Sequence, residues 1–181
     1  MRALLIIPAL CGVLLTYNTG LNNAVVFKFT NVICESYNTS WFVFHNCRLK
    51  AVNRSKVLLN INGTVLHPAY DIHVHGQVLK RANGYKPWLV DQKLDECQYM
   101  RHRSIPVVTI VYGLFKEFSN MNHTCPYIIR IIKDFYLKTE LLRLPLPTGD
   151  YMLTLRWFFD RKLQFDFNVS FTFVEDILKK N

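Results

Sequence analysis

The stretch Leu163-Gln164-Phe165-Asp166-Phe167-Asn168-Val169-Ser170-Phe171-Thr172-Phe173 alternates apolar and polar residues without a break. That period of two is the pattern of a half-buried β-strand, with one face against a core and the other toward water. Asn168 opens an Asn-x-Ser triplet and falls on the polar face, which agrees with the phase. Just upstream, Leu153, Leu155, Trp157 and Phe159 repeat the pattern, and Asp160-Arg161 between the two runs predicts a hairpin turn.

Working outward, the same pattern recurs toward the N-terminus. Val25, Phe27 and Phe29 alternate with Lys28 and Thr30, and Val57, Leu59 and Ile61 with Lys56, Asn60 and Asn62. Ile72, Val74 and Val78 alternate with Asp71, His73, His75 and Gln77. Asn83-Gly84 predicts a two-residue hairpin turn, because both residues tolerate positive φ. A further strand is expected over 127–138. Seven or eight strands separated by turn signals predict a mainly β fold, an antiparallel sandwich of two sheets.

One segment departs from this rule. Val107, Ile110, Val111, Leu114, Phe115 and Phe118 recur at helical spacing and predict an amphipathic helix over 105–118. Ser104 stands at the expected N-cap, Pro106 in the first turn, and Asn120 where the helix can end. A stripe this wide has to be buried, and an edge or open mouth of the sandwich is the nearest apolar surface.

The N-terminus reads as a secretory leader over residues 1–20, with cleavage expected between 16 and 24: Met1-Arg2 is followed by the apolar run Ala3 to Leu15. That run is shorter than a spanning helix requires. Residues 21–181 then form a single domain, and roughly 160 residues suffice for a real core. Asn-x-Ser/Thr triplets begin at Asn38, Asn53, Asn62, Asn122 and Asn168, each a glycan acceptor and so expected at the surface of a secreted, extracellular protein. Beyond the leader lie Cys34, Cys47, Cys97 and Cys125. Four cysteines in an oxidising compartment suggest two disulfides and allow three connectivities. The local pairing, Cys34 with Cys47 and Cys97 with Cys125, is favoured because the chain between the first two reads as strand, turn and strand. No Cys-x-x-Cys spacing suggests zinc.

The net charge of +9 is scattered rather than striped. It argues against a nucleic-acid partner and for attraction to anionic membranes or acidic glycans. The search for chemistry comes up short. His73 and His75 share a strand face but lack a third metal ligand, and His123 lies inside a glycan triplet. Asp91, Asp95, Glu175 and Asp176 read as solvated charges. No nucleophile elbow or phosphate loop is present. No catalytic residue, metal or cofactor is therefore expected. The aromatic content says more: thirteen Phe, nine Tyr and three Trp suit either a packed core or an aromatic cavity between the sheets.

Four blocks carry a resemblance: Lys80 to Leu89, Asp95-Glu96-Cys97, Ser119 to Tyr127, and Leu144 to Tyr151. In this order they resemble a large group of secreted insect proteins with an uncharacterised domain related to the ML lipid-recognition fold. The resemblance implies an immunoglobulin-like β-sandwich whose sheets part to admit a lipid, with sterol carriers and insect chemosensory proteins among the relatives. It assigns no ligand residue. The expectation is a secreted, non-enzymatic binder of a lipid or other small hydrophobic ligand, with a membrane receptor as a further partner. Phe27, Phe29, Leu155, Trp157, Phe165 and Phe167 are the candidate lining residues. The alternative is an extracellular interaction module or receptor accessory protein with a filled core, and a hydrolase with unfamiliar residues is a third reading.

Overall fold

Eight strands are described in the protein, a computed structural model that covers residues 24–54, 56–142 and 146–176. The expected leader lies outside the described residues. The strands are β1 (Ala24–Ser36), β2 (Phe42–Ala51), β3 (Val57–Ala69), β4 (Ile72–Ala82), β5 (Gly84–Asp95), β6 (Tyr127–Phe135), β7 (Gly149–Phe159) and β8 (Lys162–Asp176). They form a five-stranded sheet in the order β1-β8-β7-β4-β5 and a three-stranded sheet in the order β2-β3-β6. The core between them has Phe29, Phe42, Ile72, Tyr127, Tyr151, Phe159 and Phe165 among its best-buried side chains. Val25–Glu175 forms one compact unit.

The β7–β8 hairpin turns at Asp160-Arg161, both with positive φ (47° and 63°), between the paired residues Phe159 and Lys162. Two left-handed residues give a turn whose twist matches that of the strands. The β4–β5 hairpin lies at the expected place but differs in kind. Only Gly84 has positive φ, and the pairs Ala82–Gly84 and Arg81–Tyr85 leave Asn83 alone at the tip. One left-handed glycine suffices, so the two-residue turn does not form.

From Phe165 onward β8 keeps the expected phase. Its first residues do not. A register shift between the rungs Trp157–Phe165 and Phe158–Leu163 puts Leu163 opposite Phe158, out of step with the core-facing series. The polar side is also less wet than the alternation suggests. Gln164 and Asp166 are buried beside Tyr37, whose N–H donates to the Gln164 carbonyl (2.8 Å) and whose hydroxyl donates to Asp166 Oδ2 (3.0 Å). Burial raises the pKa of the Asp166 carboxyl above its ordinary value, against the opposing hydrogen bond from Tyr37.

Both disulfides are the local ones, Cys34–Cys47 and Cys97–Cys125. The first does not clip a hairpin. It joins β1 to β2, which belong to different sheets, and so ties the two layers together. The second closes a separation of 28 residues that carries the helices and fastens the first of them to the segment just before β6. Confining such a loop in the unfolded chain stabilises the fold by about 3.5 kcal/mol in the chain-entropy picture.

The expected helix is present as α2 (Pro106–Phe115), followed by a 3-10 turn at Lys116–Phe118. Its N-cap is Ile105, which makes no side-chain capping bond, rather than Ser104; Pro106 at the first position already lacks an N–H to cap. Asn120 ties down the following chain, donating to the Ile129 carbonyl and accepting from the Ile131 N–H (2.8 Å each). A shorter helix, α1 (Glu96–His102), was not expected. Asp95, read from sequence as a solvated charge, caps it by accepting from the Gln98 N–H at 2.8 Å.

Candidate functional site

Two adjoining apolar compartments lie against the five-stranded sheet beneath α2, each with about 110 Å³ of free space, and the first also reaches Leu59, Ile132 and Phe135 of the three-stranded sheet. Val78, Val90, Val111, Phe115, Leu155 and Trp157 belong to the walls of both. The first is walled by hydrocarbon side chains, Met121 and the Trp157 indole; the second adds Gln92, Glu96, Tyr99 and Tyr112. Each compartment is comparable to an engineered apolar cavity that holds benzene, and smaller than the several hundred Å³ of a typical small-molecule pocket.

Local sequence explains the space. Gly76 sits in mid-β4 opposite Leu155 and lines the second compartment with no side chain of its own. A Cβ there would meet Leu155 Cδ2 at 3.0 Å. Across the gap, α2 offers Val111, Leu114 and Phe115, all half-buried. Tyr112 is the one buried residue of α2, 6 % exposed, and its hydroxyl donates to the Met121 carbonyl at 2.9 Å. The cavity-facing side is therefore centred on Val111, Tyr112 and Phe115, and Ile110 stands on neither wall. Leu89, exposed on β5, belongs to the first compartment, so that compartment reaches the surface beside β5.

Of the six lining residues expected from sequence, Phe27, Phe29, Leu155, Trp157 and Phe167 stand on the walls of the first compartment. Phe165 is not among them. Its ring stacks on Phe42 with centroids 3.7 Å apart, and on Trp157 at 5.5 Å, where the sheets are filled. Alternation places a residue on a face but does not say whether that face meets a neighbour or a void.

The most polar feature beside the cavity was not legible in the sequence. Glu96 and Arg130, 7 % and 6 % exposed, form a bidentate pair, with Arg130 Nη2 2.7 Å from Oε2 and Nη1 3.0 Å from Oε1. The guanidinium lies over the Tyr127 ring at 4.2 Å and the Trp157 ring at 4.1 Å, and Nη1 also reaches Met121 Sδ at 3.2 Å. A planar, weakly hydrated cation suits such a slot. Desolvation by burial, with the Glu96 charge adding to it, pushes the Tyr127 hydroxyl well above its ordinary pKa.

The residues singled out for other chemistry are dispersed. His75 Nε2 lies 2.7 Å from Asp91 Oδ1 and Gln77 donates to Asp91 Oδ2 at 2.9 Å; these two bonds, His75 first, hold the Asp91 carboxyl below its ordinary pKa. His73 pairs with Asp71 instead, so the two histidines share no partner in these contacts. Among the described residues no cluster of three His, Cys, Asp or Glu side chains could hold a metal ion. No described helix is long and apolar enough to cross a membrane. Asn53 and Asn122 are exposed, while Asn38, Asn62 and Asn168 are half-buried. Asn62 and Asn168 belong to β3 and β8, each flanked by a strand on both sides, and neighbouring side chains shield them more than alternation alone suggests.

No match is found among curated proteins. Residues 74–153, from β4 through both helices and β6 into β7, match the family model described as a protein of unknown function (DUF1091), and this stretch includes Glu96, Arg130 and the Cys97–Cys125 disulfide.

Proposed function

We propose that the protein is a secreted, non-enzymatic carrier of a small hydrophobic ligand or lipid tail, taken up between the sheets beneath α2. The observation that carries this reading is the first compartment, apolar on every wall, reaching the surface beside Leu89. Apolar space that excludes water forgoes packing contacts unless a ligand supplies them. The half-buried stripe of α2 fits a movable cover, since the one disulfide of this segment holds α1 and leaves α2 free of covalent ties. Two disulfides, the glycan triplets and the apolar leader support an extracellular protein, and the resemblance to ML-related insect proteins, some of them chemosensory, supports a carrier.

Size bears on mechanism. Two compartments of about 110 Å³ admit a ring or a short chain as they stand, and a long acyl tail requires α2 to move outward. The second reading, an interaction module with a filled core, draws on the stacked rings around Phe42 and Phe165. Mass spectrometry of lipids extracted from natively purified, glycosylated protein separates the two. A stoichiometric apolar molecule is expected, and an extract no different from a blank purification contradicts the carrier reading.

A further inference from the structure

Two buried hydrogen-bond donors beside the cavity lack an acceptor among the described residues: Arg130 Nε and Trp157 Nε1. A buried donor left unpaired is costly, so native structures rarely keep one without a partner, and here two occur on side chains in cation–π contact, the guanidinium carbon 4.1 Å from the indole centroid. Arg130 and Trp157 both border a void of about 20 Å³, room for one oxygen-sized group. Trp157 and Met121 line this void and both apolar compartments. A molecule in the compartments is thus separated from the void by residues that include an adaptable thioether.

We propose that the ligand is a neutral amphiphile, an apolar body carrying a hydroxyl or carbonyl oxygen, and that this oxygen accepts from Arg130 Nε and Trp157 Nε1. This rests on the carrier reading above. The charge argument selects the class. Glu96 already neutralises Arg130 through two short bonds, so a ligand carboxylate would add an unpaired negative charge to an apolar enclosure. A hydroxyl or carbonyl supplies the acceptor without a charge. A pure hydrocarbon fills the cavity but leaves the donors unserved.

The test uses the mature glycosylated chain and the apolar fluorophore N-phenyl-1-naphthylamine, displaced at neutral pH by 1-decanol, 1-chlorodecane or decanoate. A cavity without a donor favours 1-chlorodecane, which leaves water more readily than the alcohol. The expected result is the reverse: 1-decanol displaces the probe at about tenfold lower concentration than 1-chlorodecane, with decanoate weakest. The indole N–H resonance of Trp157 should also shift with decanol and not with chlorodecane. In Trp157→Phe, the tenfold preference should fall to about twofold while the probe still binds. If chlorodecane or decanoate matches decanol in the wild-type chain, or the indole resonance does not move, the donors serve a buried water only and the proposal is overturned. Those wild-type readings decide the matter even if Trp157→Phe does not fold. Failure of the probe to bind at all would refute the carrier reading itself, and this proposal with it.

Discussion

Along β7 and β8 the core changes character within one rung. At Trp157–Phe165 the space between the sheets is filled by flat rings: Phe42 stacks on Phe165, Phe165 on Trp157, and Phe44 and Phe159 meet Phe165 edge-on. At the next rungs, Leu155–Phe167 and Leu153–Val169, the same two strands line a void. Residue size explains the change. The filled region has an aromatic ring from each of several strands, packed over Gly63 of β3. The hollow region has Gly76 in β4 and is covered by a helix whose facing side chains, Tyr112 apart, are only half-buried. One sandwich thus contains a rigid end that sets the spacing of the sheets and a yielding end where that spacing leaves room.

Glu96 and Arg130 stand at the boundary, Glu96 on the wall of the second compartment and Arg130 beside the small void of the filled region. Glu96→Ala would leave Arg130 buried without its counter-charge. This should produce the largest effect, a loss of about 3–5 kcal/mol measured by chemical denaturation. A loss below about 1 kcal/mol would mean that water reaches the guanidinium and that the boundary is not dry.

The two regions should also respond oppositely to the same chemical change. At Gly63 an added Cβ would overlap the Phe42 ring and stand 3.0 Å from the Val43 carbonyl oxygen. Gly63→Ala should therefore cost about 1–3 kcal/mol, seen as a lower denaturation midpoint. At Gly113, inside α2, an added Cβ meets nothing within 4 Å. Gly113→Ala should instead raise stability by about 0.5–1 kcal/mol, because alanine is the better helix former. Equal destabilisation by both substitutions would erase the distinction between a tight end and a loose one.

What the sequence revealed follows the same division. The strand phase at Phe165, Phe167, Val169 and Phe171, the Asp160-Arg161 turn and the helix after Pro106 all rest on short-range patterns, and these are the features that local physics determines. Leu163 lost its phase to a register shift, which depends on the partner strand rather than on alternation. Seven residues are too few for α1 to show a period of its own. Tyr112 lies outside the aliphatic stripe from which the helix was read, yet it is the residue that anchors α2, through a bond to Met121 nine positions on. Glu96 and Arg130 are 34 residues apart, and nothing in their local context brings them together. The cavity is the least legible feature of all, because emptiness is a sum over side chains from both sheets and a helix.

The central claim, that the hollow region is a ligand site, is tested most directly by filling it. Val78, buried in β4, lines both compartments. Titration of N-phenyl-1-naphthylamine should show saturable binding to the wild-type chain. In Val78→Phe, whose ring occupies the space, binding should weaken by more than about tenfold while the melting midpoint stays the same or rises, as expected when a cavity is filled without strain. No saturable binding to the wild-type chain, or undiminished binding to a folded Val78→Phe, would contradict the account.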